Sequence, residues 1–219
     1  MDRRPYRHRS RSVRWEQNQS WRRPRVGYCE FRIQEIQLSD PYSPLRNQQV
    51  HFQVTELPVD EPDLTVGPEL FFSNRALLVP SGHPLARRTS VSLEDLADTT
   101  LLTIGGVAPQ HWLDYHFPRF TPTGRRIPHG HAAISWQEIP FLVAAGAGVS
   151  LASVGAATHA GSPGVTWIPV EEEHPIRFAA IWPKAGTSAR MRAFVALLYE
   201  TAQTDDVCTQ LNGPQVIDW

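Results

Sequence analysis

Hydrophobic and polar positions alternate with period two along several stretches of the chain, and one stretch near its end repeats with helical period. "FRIQEIQL" (Phe31–Leu38) reads as a strand, and "SDPYSPLRNQ" then offers Ser39 or Asp40 as an N-cap with Pro41 at the first helical position, although Pro44 limits the regularity of that helix. "VHFQVTEL" reads as a second strand, with Val50, Phe52 and Val54 on one face and His51, Gln53 and Thr55 on the other. A proline-rich connector, "PVDEPDLTVGP", leads into "ELFFSNRALLVP", a further strand. Pro80 and Gly82 stop it, His83-Pro84 turns the chain, and Ser92-Leu93-Glu94-Asp95 is a capping signature for a short helix.

"TTLLTIGG" is a strand ending in a double glycine, where backbone N–H groups can approach a ligand closely. A loop rich in proline, aromatic and histidine residues follows, from Ala108 to Gly130. Ser135 to Glu138 is a second capping box, Phe141 to Ala145 the helix body, Gly146 and Gly148 its terminators, and "VSLAS" the next strand. Pro140 delays or bends that helix. "VTWIPV" and "IRFAAIW" are two more strands, the second with Ile176, Phe178, Ala180 and Trp182 on one face. In "SARMRAFVALLYETAQ", Met191, Phe194, Val195 and Leu198 fall at i, i+3, i+4 and i+7, an amphipathic helix. Alternating strands and helices are the order of an α/β fold.

Charge divides the 219 residues into two parts. Residues 1–25 carry nine arginines against Asp2 and Glu16, a net of +7, whereas the remainder carries 12 basic and 20 acidic residues, a net of −8. The arm is nearly free of aliphatic residues and is expected to be disordered. Trp15 and Trp21 among its arginines could stack on nucleic acid, but nothing supplies an element that reads a sequence, so a solvated tail is the preferred reading. The arginine-rich start lacks the apolar segment of a secretory signal, and the sequence has no apolar run of membrane-spanning length, which places the protein in the cytoplasm. Cys29 and Cys208 are too isolated for a disulfide framework or a redox pair.

Candidate chemistry is sparse. His111, His116, His129 and His131 crowd into one region without a metal-ligand spacing and read as a surface loop rich in histidine. No nucleophile elbow, phosphate loop or dinucleotide fingerprint appears, and Glu171-Glu172-Glu173 reads as a solvated run. Neither catalysis, a metal nor a cofactor is therefore expected. Thr103 to Gly106, after one strand, and the Ser135 helix start are the candidate rims of a binding cleft, because open α/β sheets bind ligands beyond the carboxyl ends of their strands.

"LLVPSGHPLARRTSVSLEDLADTTLL", "SWQEIPFLVAAGAGVSLAS" and "GVTWIPVEEEHPIRFAAIWPKAG", with "MRAFVALL" after them, resemble the effector-binding domain of LysR-type transcriptional regulators over about Phe31 to Gln203. The resemblance implies a type 2 periplasmic-binding-protein-like fold, two α/β subdomains joined by two crossing strands, with a small-molecule inducer held between them. It places the first subdomain at residues 26–66 and 166–203, the second at 67–165 and a tail at 204–219. It makes Thr103, Gly105, Gly106, Ser135, Trp136 and Ser153 the ligand-binding candidates. It also implies a homodimer, or a heterodimer with a full-length regulator. The winged helix-turn-helix of such regulators is not present, so no sequence-specific DNA contact by that route is expected. The first strand and helix of the effector domain have no room either, which leaves the first subdomain truncated and His51 and Gln53 on a wet face of a central parallel strand. The alternatives are a stand-alone solute-binding protein and a nucleic-acid binder acting through the basic arm.

Overall fold

The computed structural model describes residues 32–157, 163–171 and 175–204. Contacts divide the chain after Ile36, and the fold below is that of residues from Gln37 onward. Residues 32–37 form no strand, and Ile33 is 83% exposed. The expected strand Phe31–Leu38 is therefore corrected, apart from Phe31 itself, which lies outside the described residues. Alternation makes a strand only where a neighbour completes the ladder, and these residues form none. The arginine-rich arm, Cys29, Cys208, Glu172 and Glu173 also lie outside the described residues.

Helix α1 (Ser43–Arg46) is a single turn whose first turn takes up Pro44. It starts later than expected, and Asp40 acts just ahead of it by accepting the Ser43 N–H at 3.3 Å. Strands β1 (Gln53–Glu56), β2 (Leu64–Ser73) and β3 (Arg75–Pro80) follow. Two of these depart from the sequence reading. Strand β2 begins inside the expected connector, because its register shifts between Val66 and Glu69 and so takes up Pro68, which cannot donate to a ladder. What reads as one strand in "ELFFSNRALLVP" is two, parted at Asn74.

A 3-10 turn at Pro84–Arg87 is capped by the His83 imidazole, whose Nδ1 accepts the Leu85 N–H at 3.2 Å. A second, at Leu93–Asp98, is fixed by Asp95, whose carboxylate accepts the Ser92 N–H at 2.9 Å. Strand β4 (Leu101–Ile104), helix α2 (Gln110–His116), strand β5 (His129–Ala133), helix α3 (Glu138–Ala144), strand β6 (Ser150–Ser153), the one-turn helix α4 (Val154–Ala157), strands β7 (Val165–Pro169) and β8 (Ile176–Pro183), and helix α5 (Ala189–Thr204) complete the chain. The expected loop from Ala108 to Gly130 thus contains α2 and the start of β5. Pro140 sits in the first turn of α3, where a missing N–H costs nothing.

The first sheet has the order β1-β8-β2, all neighbours antiparallel. Central β8 is buried on both faces, since Ala179 and Ile181 are as fully buried as Ala180. Leu45 and Tyr42 cover one side of it through Leu64 and Ile181, and α5 covers the other through Val195, Met191 and Leu198 against Leu70 and Trp182. The wet face expected of a central parallel strand is corrected in part: β1 is an antiparallel edge strand, His51 ahead of it is exposed as expected, but Gln53 is only 8% exposed and Val54 is 40% exposed. Gln53 lies opposite buried Ile181 in the register, which fixes the polar residue inward.

The second sheet runs β6-β3-β7, also antiparallel. It continues through a parallel bridge from Val149 to Leu101 into the parallel pair β4-β5. Its core holds Leu77, Leu78, Leu101, Leu102, Ile139 and Ile168, each at most 1% exposed. Strand pairing passes from the first sheet to the second at Asn74 and returns to the first with β8. The first crossing is tied on both sides: Val154 N–H donates to Asn74 O at 2.7 Å and Gly155 N–H to Ser73 Oγ at 3.1 Å. Among the described residues no helix is long and apolar enough to cross a membrane.

Candidate functional site

Strands β4, β5 and β6 run in one direction, so their carboxyl ends share one edge of the second sheet. Thr103, Gly105 and Gly106 stand at the end of β4, Ser135 and Trp136 after β5, and Ser153 at the end of β6. The six candidates thus share an edge, but their local roles differ. Thr103 is half-buried opposite Ala132, while the Gly105 N–H is used within the sheet, donating to Ala133 O at 2.8 Å. Trp136 packs on the core. Ser153 Oγ accepts the Ala156 N–H at 3.3 Å and so caps α4. Ser135 O accepts the Glu138 N–H at 3.3 Å, and the Glu138 carboxylate reaches back to the Ile134 N–H at 3.0 Å, one residue earlier than a capping box requires.

One participant is absent from the sequence reading. Ser39 faces the end of β4: its carbonyl accepts the Val107 N–H at 2.7 Å, and Leu38 packs on the core of the second sheet. Gly106 permits this approach. Its φ is +90°, and a Cβ built there would lie only 2.3 Å from Ser39 O, a distance that no side chain tolerates. The turn before α1 therefore forms the wall opposite β4. A turn-forming "SDP" was visible in the sequence; the partner it meets 67 residues later was not.

A second concentration of polar groups lies where β1, β3 and α2 meet. His116, expected on a surface loop, is 5% exposed. Its ring packs, tilted by 37°, against Trp112 at a centroid distance of 4.4 Å, and burial drives its pKa down to about 3. Burial likewise pushes the Glu56 carboxyl up to about 7, against the pull of Arg75. Among the described residues no three histidine, cysteine or carboxylate side chains gather as a metal would need. A cavity of about 450 Å³ lies at the opposite edge of the second sheet, lined by Pro80, Asp98, Thr99, Thr100, Gly148 and Val149, away from all six candidates.

Residues 23–203 match the sequence model of the LysR substrate-binding domain. The chain belongs to that family. Its fold is the type 2 periplasmic-binding-like fold of LysR effector-binding domains, as comparison with solved structures shows. The effector-binding domain of QuiR in complex with shikimate matches with a TM-score of 0.58 at 19% identity, over 73% of this chain and 75% of that one. A LysR-family regulator of Pseudomonas aeruginosa matches with a TM-score of 0.61 at 21% identity, over 79% and 64%. An OxyR C206 mutant of Corynebacterium glutamicum matches with a TM-score of 0.58 at 21% identity, over 78% and 54%. This LysR-family chain thus spans little more than half of the OxyR chain. No curated protein matches it.

Proposed function

We propose that this LysR-family domain binds a small organic effector between two lobes and serves regulation of transcription, not catalysis. The first lobe is α1, β1, β2, β8 and α5, and the second is built on β3 to β7, with one hinge at Asn74. The observation that carries the reading is the shared edge: the carboxyl ends of β4, β5 and β6 bring Thr103, Gly105, Gly106, Ser135 and Ser153 together, opposite the Ser39 turn. Thr103 and Ser135 supply hydroxyls that donate or accept, which suits carboxyl or hydroxyl groups on the effector. Trp136 belongs to the support of this edge. Ligand that contacts both lobes favours one hinge state, and that population shift is the signal a regulator transmits, through a homodimer or through a dimer with a full-length relative. The shikimate bound to QuiR makes small hydroxylated carboxylates the first class to try.

A thermal-shift panel of small carboxylates, aromatic acids and sugars tests this. At a hundredfold excess over Kd one class raises the midpoint by roughly 5–10 °C. Thr103→Val and Ser135→Ala each remove most of that rise and leave the ligand-free midpoint nearly unchanged. An undiminished rise in both variants would place the ligand elsewhere.

A further inference from the structure

We propose that Glu56 and His116 form a one-proton clasp that ties β1 of the first sheet to α2 of the second and loosens when the proton leaves. The geometry allows few alternatives. His116 Nε2 lies 3.1 Å from the carbonyl oxygen of Leu57, and a carbonyl only accepts, so Nε2 carries the hydrogen. The other ring nitrogen, Nδ1, faces Glu56 Oε2 at 3.5 Å. A single proton on either group makes that contact favourable. Without it, a lone pair meets a carboxylate; with two, a buried imidazolium stands beside a cation.

That cation is Arg75, the first residue of β3 after the hinge. Its Nη2 donates to Tyr115 O at 3.2 Å and its guanidinium lies 4.8 Å from the centre of the Tyr115 ring. Arg75 Nε is buried and, among the described residues, has no hydrogen-bond partner, so the guanidinium is held through the Tyr115 carbonyl and ring. Its charge lowers the pKa of both Glu56 and His116, which opposes double protonation and draws the release of the single proton back to near neutrality. The groups facing His116 are thus Glu56 at the end of β1, the Leu57 carbonyl just after it, Arg75 from β3 and Tyr115 from its own helix. One turn earlier on α2, His111 Nε2 accepts the Asp60 N–H at 3.2 Å, a bond that needs that nitrogen bare. Both histidines of α2 therefore dock on the stretch Leu57–Asp60. The proton is released to water; no other bond is made or broken.

Amide hydrogen exchange of α2 between pH 6 and pH 8, corrected for intrinsic rates, tests the clasp on the whole chain. In the wild type, protection at residues 111–116 falls by about tenfold for the pH unit above the release point. In Glu56→Gln, whose amide keeps a donor toward Nδ1 at every pH, it stays constant. An equal fall in both, or none in the wild type, overturns the proposal. Nitrogen NMR of the wild-type imidazole decides independently of how the variant folds: the Nε2–H tautomer across pH 5–8, with Nδ1 responding near pH 7, is expected, and an Nδ1–H tautomer would refute it.

Discussion

Gly106→Ala is expected to destabilise the chain by about 2–3 kcal/mol. A left-handed φ costs a residue with a Cβ roughly 1–2 kcal/mol, and the separation forced on Ser39 forfeits a hydrogen bond worth about 1 kcal/mol. The strain is present because the φ is +90°, and the separation is forced because the new carbon would sit 2.3 Å from Ser39 O and 2.8 Å from Ser39 Cβ. The Val107 to Ser39 bond of 2.7 Å must open. Urea unfolding measures the energy, and the Val107 amide shift reports the bond. A change below about 0.5 kcal/mol, as for an ordinary surface position, would mean that the Ser39 turn does not close over the end of β4. Opposite Ser39, the same substitution also widens the proposed cleft, so it weakens effector binding as well as stability.

Leu101→Ala carries the other large effect, a loss of about 3–4 kcal/mol. Leu101 is fully buried and stands where three strands meet, paired with His129 on one side and bridged to Val149 on the other. Truncating it leaves a cavity in a part of the sheet whose backbone is held from both sides and cannot collapse to fill it. Leu197→Ala is the contrast: that side chain is 56% exposed, and the change costs well under 1 kcal/mol. Equal costs for the two would contradict the assignment of β4 to the core of the second sheet.

What the sequence disclosed follows a physical pattern. Strands β4, β6 and β8 bury most of what they present, so their apolar residues record the fold directly, and the helical spacing of Met191, Val195 and Leu198 marks the one stripe of α5 that packs on the sheet. Strand β5, "HGHAA", is exposed at His129–Ala132 and has no β-branched residue, so only its parallel pairing with β4 makes it a strand. Helix α2 has Pro109 at its N-cap and so no side-chain cap, which removes the usual start signal, and it buries a histidine where an apolar residue would have revealed its face. Strand β1 differs from its sequence pattern for a related reason. Its polar Gln53 turns inward because the register against β8 decides the face, and register is a property of two strands. Of the candidate site, glycine and hydroxyl residues after strands mark an edge in the sequence, whereas the Ser39 turn and the Glu56–His116 contact depend on partners more than 55 residues away, which no local pattern records.

The most direct test of the effector-binding reading is backbone amide NMR mapping with the compound that gives the largest thermal shift. Perturbations concentrated at Ser39, Thr103–Val107 and Ser135–Gln137 are expected, with smaller ones at Asn74 as the hinge responds. Perturbations concentrated at Thr99, Thr100, Gly148 and Val149, around the cavity at the opposite edge of the sheet, would contradict it.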